Sequence, residues 1–187
     1  WKNQVESHKF QDLKVLKTEF VHKLKGRHPS FSRVIDSPGN VGIFANLKVQ
    51  EMLLILRLIQ GKEKGQRVVL VSPSNLLLSH RFQVLRRFDW LESAYLNSLN
   101  GDGSGFDVVF ATLPLFLRKA KMFREEFGQW ILLDPEFLLS PKMDRQDLFE
   151  QMGQQVGEFG GDVLVLGTQL SPGQKDLVKK HLHLGSF

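Results

Sequence analysis

The sequence predicts an α/β fold, a three-layer domain with a mostly parallel sheet, helices on both faces and an N-terminal helical extension. Three observations carry this. Short, continuous apolar runs at residues 67–71, 107–111, 130–133 and 162–166 read as strands buried on both faces. Helix-length segments with apolar residues at three- and four-residue spacing lie between them. The two kinds alternate, which is the pattern of parallel strands joined by crossover helices.

Taken in order, residues 1–26 read as a basic amphipathic helix, with Leu13, Leu16, Phe20 and Leu24 on one stripe. Lys2, Lys9, Lys14, Lys17, Lys23 and Lys25 fall mostly off that stripe, as a solvated face or, alternatively, a phosphate or partner surface. Gly26 is placed to end the helix. Residues 27–46 read as an irregular connector, punctuated by His28-Pro29 and Ser37-Pro38-Gly39-Asn40. The main domain is then 47–187. It opens with an apolar helix at 47–60, carrying Met52, Leu53, Leu56 and Ile59, and a charged turn at 61–65. Strand 67–71 follows, then Ser72-Pro73-Ser74-Asn75 with its capping side chains, and a helix at 76–88. A strand at 94–99 and a glycine-rich loop at 100–105 lead to strand 107–111 and a helix at 115–127. Strand 130–133 ends in Asp134-Pro135, and a helix at 144–156, strand 162–166 and helix 174–181 complete the chain.

Composition sets bounds on function. The chain has 187 residues, 42% hydrophobic and 24% charged, which is ordinary for one globular domain with a real core. There is no cysteine, which excludes disulfides and thiolate zinc sites and fits a reducing compartment. No apolar run approaches the ~20 residues of a membrane helix, so no membrane association is expected. The first residues lack a signal-peptide layout, and the chain begins at Trp1, so it reads as a piece of a longer protein. A net charge of +5 leaves room for a phosphate-bearing partner.

Several motifs of enzyme chemistry are missing. A nucleotide-hydrolysing α/β domain needs a phosphate loop of the form G-x-x-x-x-G-K-[ST], and none is present. Gly61-Lys62 follows a helix and reads as a turn. Ser104 sits among glycines without the G-x-S-x-G spacing of an exposed nucleophile. His181 and His183 have no third ligand in obvious reach. Neither a cofactor nor a metal is therefore expected.

The segment from Trp130 to Gln154 reads WILLDPEFLLSPKMDRQDLFEQMGQ, and it resembles the second lobe of Swi/Snf-type remodelling ATPases of helicase superfamily two. In that family a strand ends in Asp-Pro-x-Trp-Asn-Pro, and a helix carrying two arginines closes in Arg-Ile-Gly-Gln. Asp134-Pro135-Glu136-Phe137 matches the opening, and Gly153-Gln154 falls in register with the close. Arg27-His28-Pro29, Asp36 to Gly39, residues 66–73 (QRVVLVSP) and 107–112 (DVVFAT) are similar to flanking segments, so the likeness spans roughly 27–180. It implies a RecA-like lobe. The family's two arginines fall at Leu148 and Gln151, and neither side chain can stabilise charge on a transferring phosphoryl group as an arginine does. The resemblance so implies a degenerate lobe without an arginine finger, not an enzyme.

A second register is open. In it "ILLDPEFLL" stands for the decayed Asp-Glu box of a first lobe, Gly167-Thr168 for its Gly-Thr-Pro segment and "FANLKVQEMLLIL" for its phosphate loop. In either register, the style of decay resembles the non-catalytic subunits of the fungal class II histone deacetylase complex and a related fission-yeast-type shelterin subunit. That resemblance implies a nuclear scaffold at chromatin or telomeres, with a class II deacetylase or silencing subunits as partners. The alternatives are a fragment of an active remodeller and a duplex DNA-binding module. For the last, the candidate phosphate contacts are Arg81, Arg86 and Arg87 with His80 on one helix, and Arg118, Lys119, Lys121 and Arg124 on another.

Overall fold

A computed structural model describes residues 15, 17–19, 21–22, 26, 39–86, 88, 93–96, 105–139, 146–168 and 170–184. Six strands form one sheet: β1 (Asn40–Phe44), β2 (Val68–Ser72), β3 (Ser93–Leu96), β4 (Val108–Thr112), β5 (Gln129–Leu133) and β6 (Asp162–Gly167). Their order is β1-β6-β5-β2-β4-β3, and every pairing is parallel. Parallel pairing forces each connection to cross a face of the sheet, which is why helices separate the strands.

The helices are α1 (Leu47–Glu63), α2 (Asn75–Leu85), α3 (Leu113–Arg118), α4 (Ala120–Glu126), α5 (Gln146–Glu158) and α6 (Pro172–His181), with a 3₁₀ turn at Pro135–Leu138. Successive strand side chains point to opposite faces, and each strand divides accordingly. Leu70, Phe110, Ile131 and Leu164 pack with α1 and α2, while Val69, Val109, Trp130 and Val163 pack with α3 to α6. The second face is the aromatic one. The Trp130 indole stacks on Phe159 at 4.0 Å and meets the edge of Phe116 at 4.8 Å, while its N–H donates to the Phe123 carbonyl.

The structure alters several sequence expectations. Part of the expected connector 27–46 is β1, which pairs with β6 along its length. Gly42 lies inside it because Leu184 packs against the strand there, 2.7 Å from where a Cβ would stand. The expected helix 115–127 is two helices, broken at Lys119, and its first half starts earlier, at Leu113. The last helix begins at Pro172, because Ser171 and Gln174 form a reciprocal capping box. Residues 15, 17–19, 21 and 22 are helical, as is Gly26, which was expected to end the helix. Val21 packs on the core and Lys17 pairs with Glu63 at 2.8 Å. The stripe of Leu13, Leu16, Phe20 and Leu24, and most of the loop 100–105, lie outside the described residues. Among the described residues no helix is long and apolar enough to cross a membrane.

Candidate functional site at the carboxyl edge of the sheet

In open parallel sheets, ligands bind outside the carboxyl ends of the strands, where neighbouring strands send their chains to opposite faces. Here β1 and β2 are followed by helices on one face, and β4, β5 and β6 by helices on the other. Three such points, β1 beside β6, β5 beside β2 and β2 beside β4, lie along the carboxyl edge of the sheet.

At the β5–β2 point stands Asp134, immediately after β5, in the left-handed backbone region at φ 57° and ψ 47°. A non-glycine residue held there is strained and persists only when its surroundings hold it. They do. The Arg81 guanidinium from α2 donates to one carboxylate oxygen at 2.8 Å, and the Ser72 hydroxyl from β2 donates to the other at 2.9 Å. Arg81 and Asp134 side chains are only 12% and 2% exposed. Arg81 also reaches the Gln50 amide oxygen from α1 at 3.3 Å, and the Gln50 amide nitrogen donates to the Ala45 carbonyl. Ser72 further accepts from the Ser74 N–H, which fixes the start of α2. One network thus ties α1, α2, β2 and the end of β5 together.

At the β1–β6 point the chain passes from strand to helix through Ala45 and Asn46 alone. Ala45 donates its N–H to the Gly167 carbonyl of β6, and Asn46 caps α1 by accepting from Val49. Lys48, exposed on the first turn of α1, borders a shallow depression with Asn46 and Thr168. Beside it, Glu136 of the 3₁₀ turn has one carboxylate oxygen buried without a partner among the described residues. Burial pushes the Glu136 carboxyl above the usual carboxylate value, the Asp134 charge adds to the rise, and hydrogen bonds with Thr168 oppose it.

The residues singled out from the sequence are placed differently. Leu148 and Gln151 lie on α5, Leu148 half-buried against the aromatic core and Gln151 exposed. Gly153, one of the residues that set the register of the second-lobe resemblance, has a packing reason of its own. The carbonyl of His181 on α6 occupies the space a Cβ would need. His181 packs against Phe149, its ring 5.0 Å away. Among the described residues no group of three His, Asp or Glu side chains is arranged to hold a metal ion.

The two basic clusters are separated by the whole sheet, α2 on one face and α3 and α4 on the other. Arg81 leaves the set of phosphate contacts, because its guanidinium is committed to Asp134. Arg124 reaches Gln155 and pairs with Glu158 of α5 at 3.0 Å. Lys121 lies 3.9 Å from Glu125, both well exposed. Arg118 and Arg86 are exposed near the ends of α3 and α2, Lys119 joins α3 to α4, and Arg87 lies outside the described residues. Sequence reasoning missed Ser72 and Gln50. Their one signal is a polar residue interrupting an otherwise buried run.

No family model matches the chain, and no curated protein sequence matches it either. Solved structures do. The SWI2/SNF2 ATPase core of Sulfolobus solfataricus, in complex with double-stranded DNA, matches over 95% of this chain with a TM-score of 0.58 at 13% identity. The Hef helicase domain of Pyrococcus furiosus matches over 81% with a TM-score of 0.59 at 12% identity. The chain spans 35% and 34% of those two chains. The fold is therefore that of a RecA-like helicase-type lobe.

Proposed function

We propose that this chain is a catalytically inactive helicase-like lobe that serves as an assembly module. One observation carries the reading. The carboxylate at the end of β5, where a nucleotide-hydrolysing lobe needs a free acid for its metal, is held by Arg81 and Ser72. The neighbouring residues agree. The residue after Asp134 is Pro135 where an Asp-Glu box has its second acid, and two residues cannot form a phosphate-cradling loop. A nucleotide and its metal do not fit these side chains, and among the described residues that line this edge Lys48 alone retains phosphate-type chemistry.

The first-lobe register is the better supported of the two. It brings the stand-in for the phosphate loop, the decayed acid box and Gly167-Thr168 to one edge, with Ala45 bonded to Gly167. The second-lobe register rests on Asp134 to Phe137 together with Gly153-Gln154 and the flanking segments, and of these helix packing accounts for Gly153 by itself.

A lobe that keeps its fold without its charge chemistry acts through its surfaces. The partners we propose are those the resemblance implies: a class II histone deacetylase or silencing subunits in a nuclear, chromatin or telomere complex. Titration of the chain with magnesium-ATP is expected to show neither binding heat nor phosphate release. Affinity purification from nuclear extract is expected to recover a deacetylase or silencing factors. Turnover at a remodeller's rate would sink the inactive reading, and recovery of DNA-dependent histones alone would sink the deacetylase partner.

A second reading has one observation behind it. Arg118 and Lys121 are exposed on adjoining helices, and a structural neighbour is bound to double-stranded DNA. Contact with duplex backbone by Arg118, Lys119 and Lys121 predicts an affinity that falls as salt rises. A flat salt response rules it out.

A further inference from the structure

We propose that the groove between α1 and α2 docks a short amphipathic helix offering a branched apolar anchor and, one turn away, a lysine or arginine. This names a surface for the assembly role proposed above, and rests on that reading only in expecting a protein partner.

The groove is a cavity of about 130 Å³, open to solvent and lined by Leu54, Leu77, Val84 and Leu85. That is room for several waters or for one branched side chain, and an apolar lining favours the side chain. At its border stands Leu47, 61% exposed although it opens α1. An apolar side chain left this open beside an apolar cavity marks an interaction surface.

Charge selects the partner. Arg81 borders the cavity, but its charge is balanced by Asp134. Glu51 on the α1 lip is exposed and makes no ion pair among the described residues, not even with Lys48 one turn earlier. The lining therefore carries one uncompensated negative charge beside an apolar cavity, with the His80 imidazole opposite as a hydrogen-bonding group. The complement is an apolar side chain followed by a cation. The two walls are helices, and neither outer strand of the described sheet, β1 or β3, lines the groove, so strand addition is not available there. A helix lying in the groove is the mode that fits.

The test is a peptide-display selection against the whole chain, followed by fluorescence anisotropy of an enriched, labelled peptide on three proteins. These are the parent, Leu47→Asp and Glu51→Lys, both exposed changes, with equal melting temperatures confirming that the fold is kept. The expected result is an enriched apolar-x-x-basic pattern whose affinity falls at least about tenfold in each variant, roughly 1.4 kcal/mol. Glu51→Lys should further prefer a version carrying Glu in place of the basic residue. No enriched pattern, or peptides that bind both variants as tightly as the parent, would overturn the proposal. ATP turnover by the chain would instead count against the inactive reading and leave the groove result standing.

Discussion

The two edges of the sheet handle charge in opposite ways. At the amino edge, Lys62 pairs with Asp107 at 2.8 Å and Arg67 with Glu126 at 3.3 Å, and all four side chains keep contact with water. At the carboxyl edge, Arg81 and Asp134 form a pair of similar length that is almost wholly enclosed. Exposed pairs exchange one well-solvated arrangement for another and contribute little. An enclosed pair has lost its solvent, so each partner depends on the other. The difference teaches where this fold keeps its specificity. The amino edge is interchangeable surface, and the carboxyl edge holds one arrangement of four elements.

Single substitutions can break that contrast. Arg81→Ala leaves the Asp134 carboxylate buried and unpaired, and should cost about 3–5 kcal/mol in urea denaturation. Adding Asp134→Asn should recover part of this, so that the two losses are far from additive. A loss under 1 kcal/mol for Arg81→Ala would mean that water reaches the pair. Gly153→Ala tests whether enclosure away from the carboxyl edge matters as much. Its methyl must push α5 off the His181 carbonyl, at a cost of about 1–3 kcal/mol in the same measurement. Lys62→Ala at the amino edge should cost less than about 1 kcal/mol, and that loss should shrink further in high salt.

The last test concerns the sign of a pH response. Burial raises the Glu136 carboxyl, so the folded state holds that proton more tightly than the unfolded chain does. Its contribution to stability is present below the ordinary value of 4.5 and is lost as pH rises through the raised folded value. Glu136→Gln removes the dependence. Its melting temperature relative to the parent should therefore climb between a pH below 4.5 and neutrality. An unchanged difference would show that the carboxyl is solvated.

Much of the fold was legible because it is local. The runs that became β2, β4, β5 and β6 are continuous and apolar, as strands covered on both faces must be. β1 was hidden. It contains Gly42 and follows the Pro38-Gly39 turn signal, and what makes it a strand is its pairing with residues 163–167. The break at Lys119 was hidden as well, since the apolar spacing runs through it. The site was less legible than the fold. Arg81 looks like any exposed cation of a basic helix, and its partner lies 53 residues further on. Charge in a sequence reveals that a side chain needs a partner, but only the tertiary arrangement reveals which.

The strand order has a consequence for how the molecule comes into being. β1 precedes every other described strand in the chain, yet its neighbour among them is β6, made about 120 residues later. The centre of the sheet, β2 with β4 and β5, can assemble while β1 waits unpaired. During synthesis on the ribosome, Val41 and Ile43 therefore emerge early and remain exposed until residue 167 is available. A nascent chain halted just before β6 should keep a paired centre with a loose leading strand, open to chaperones or to the wrong neighbour.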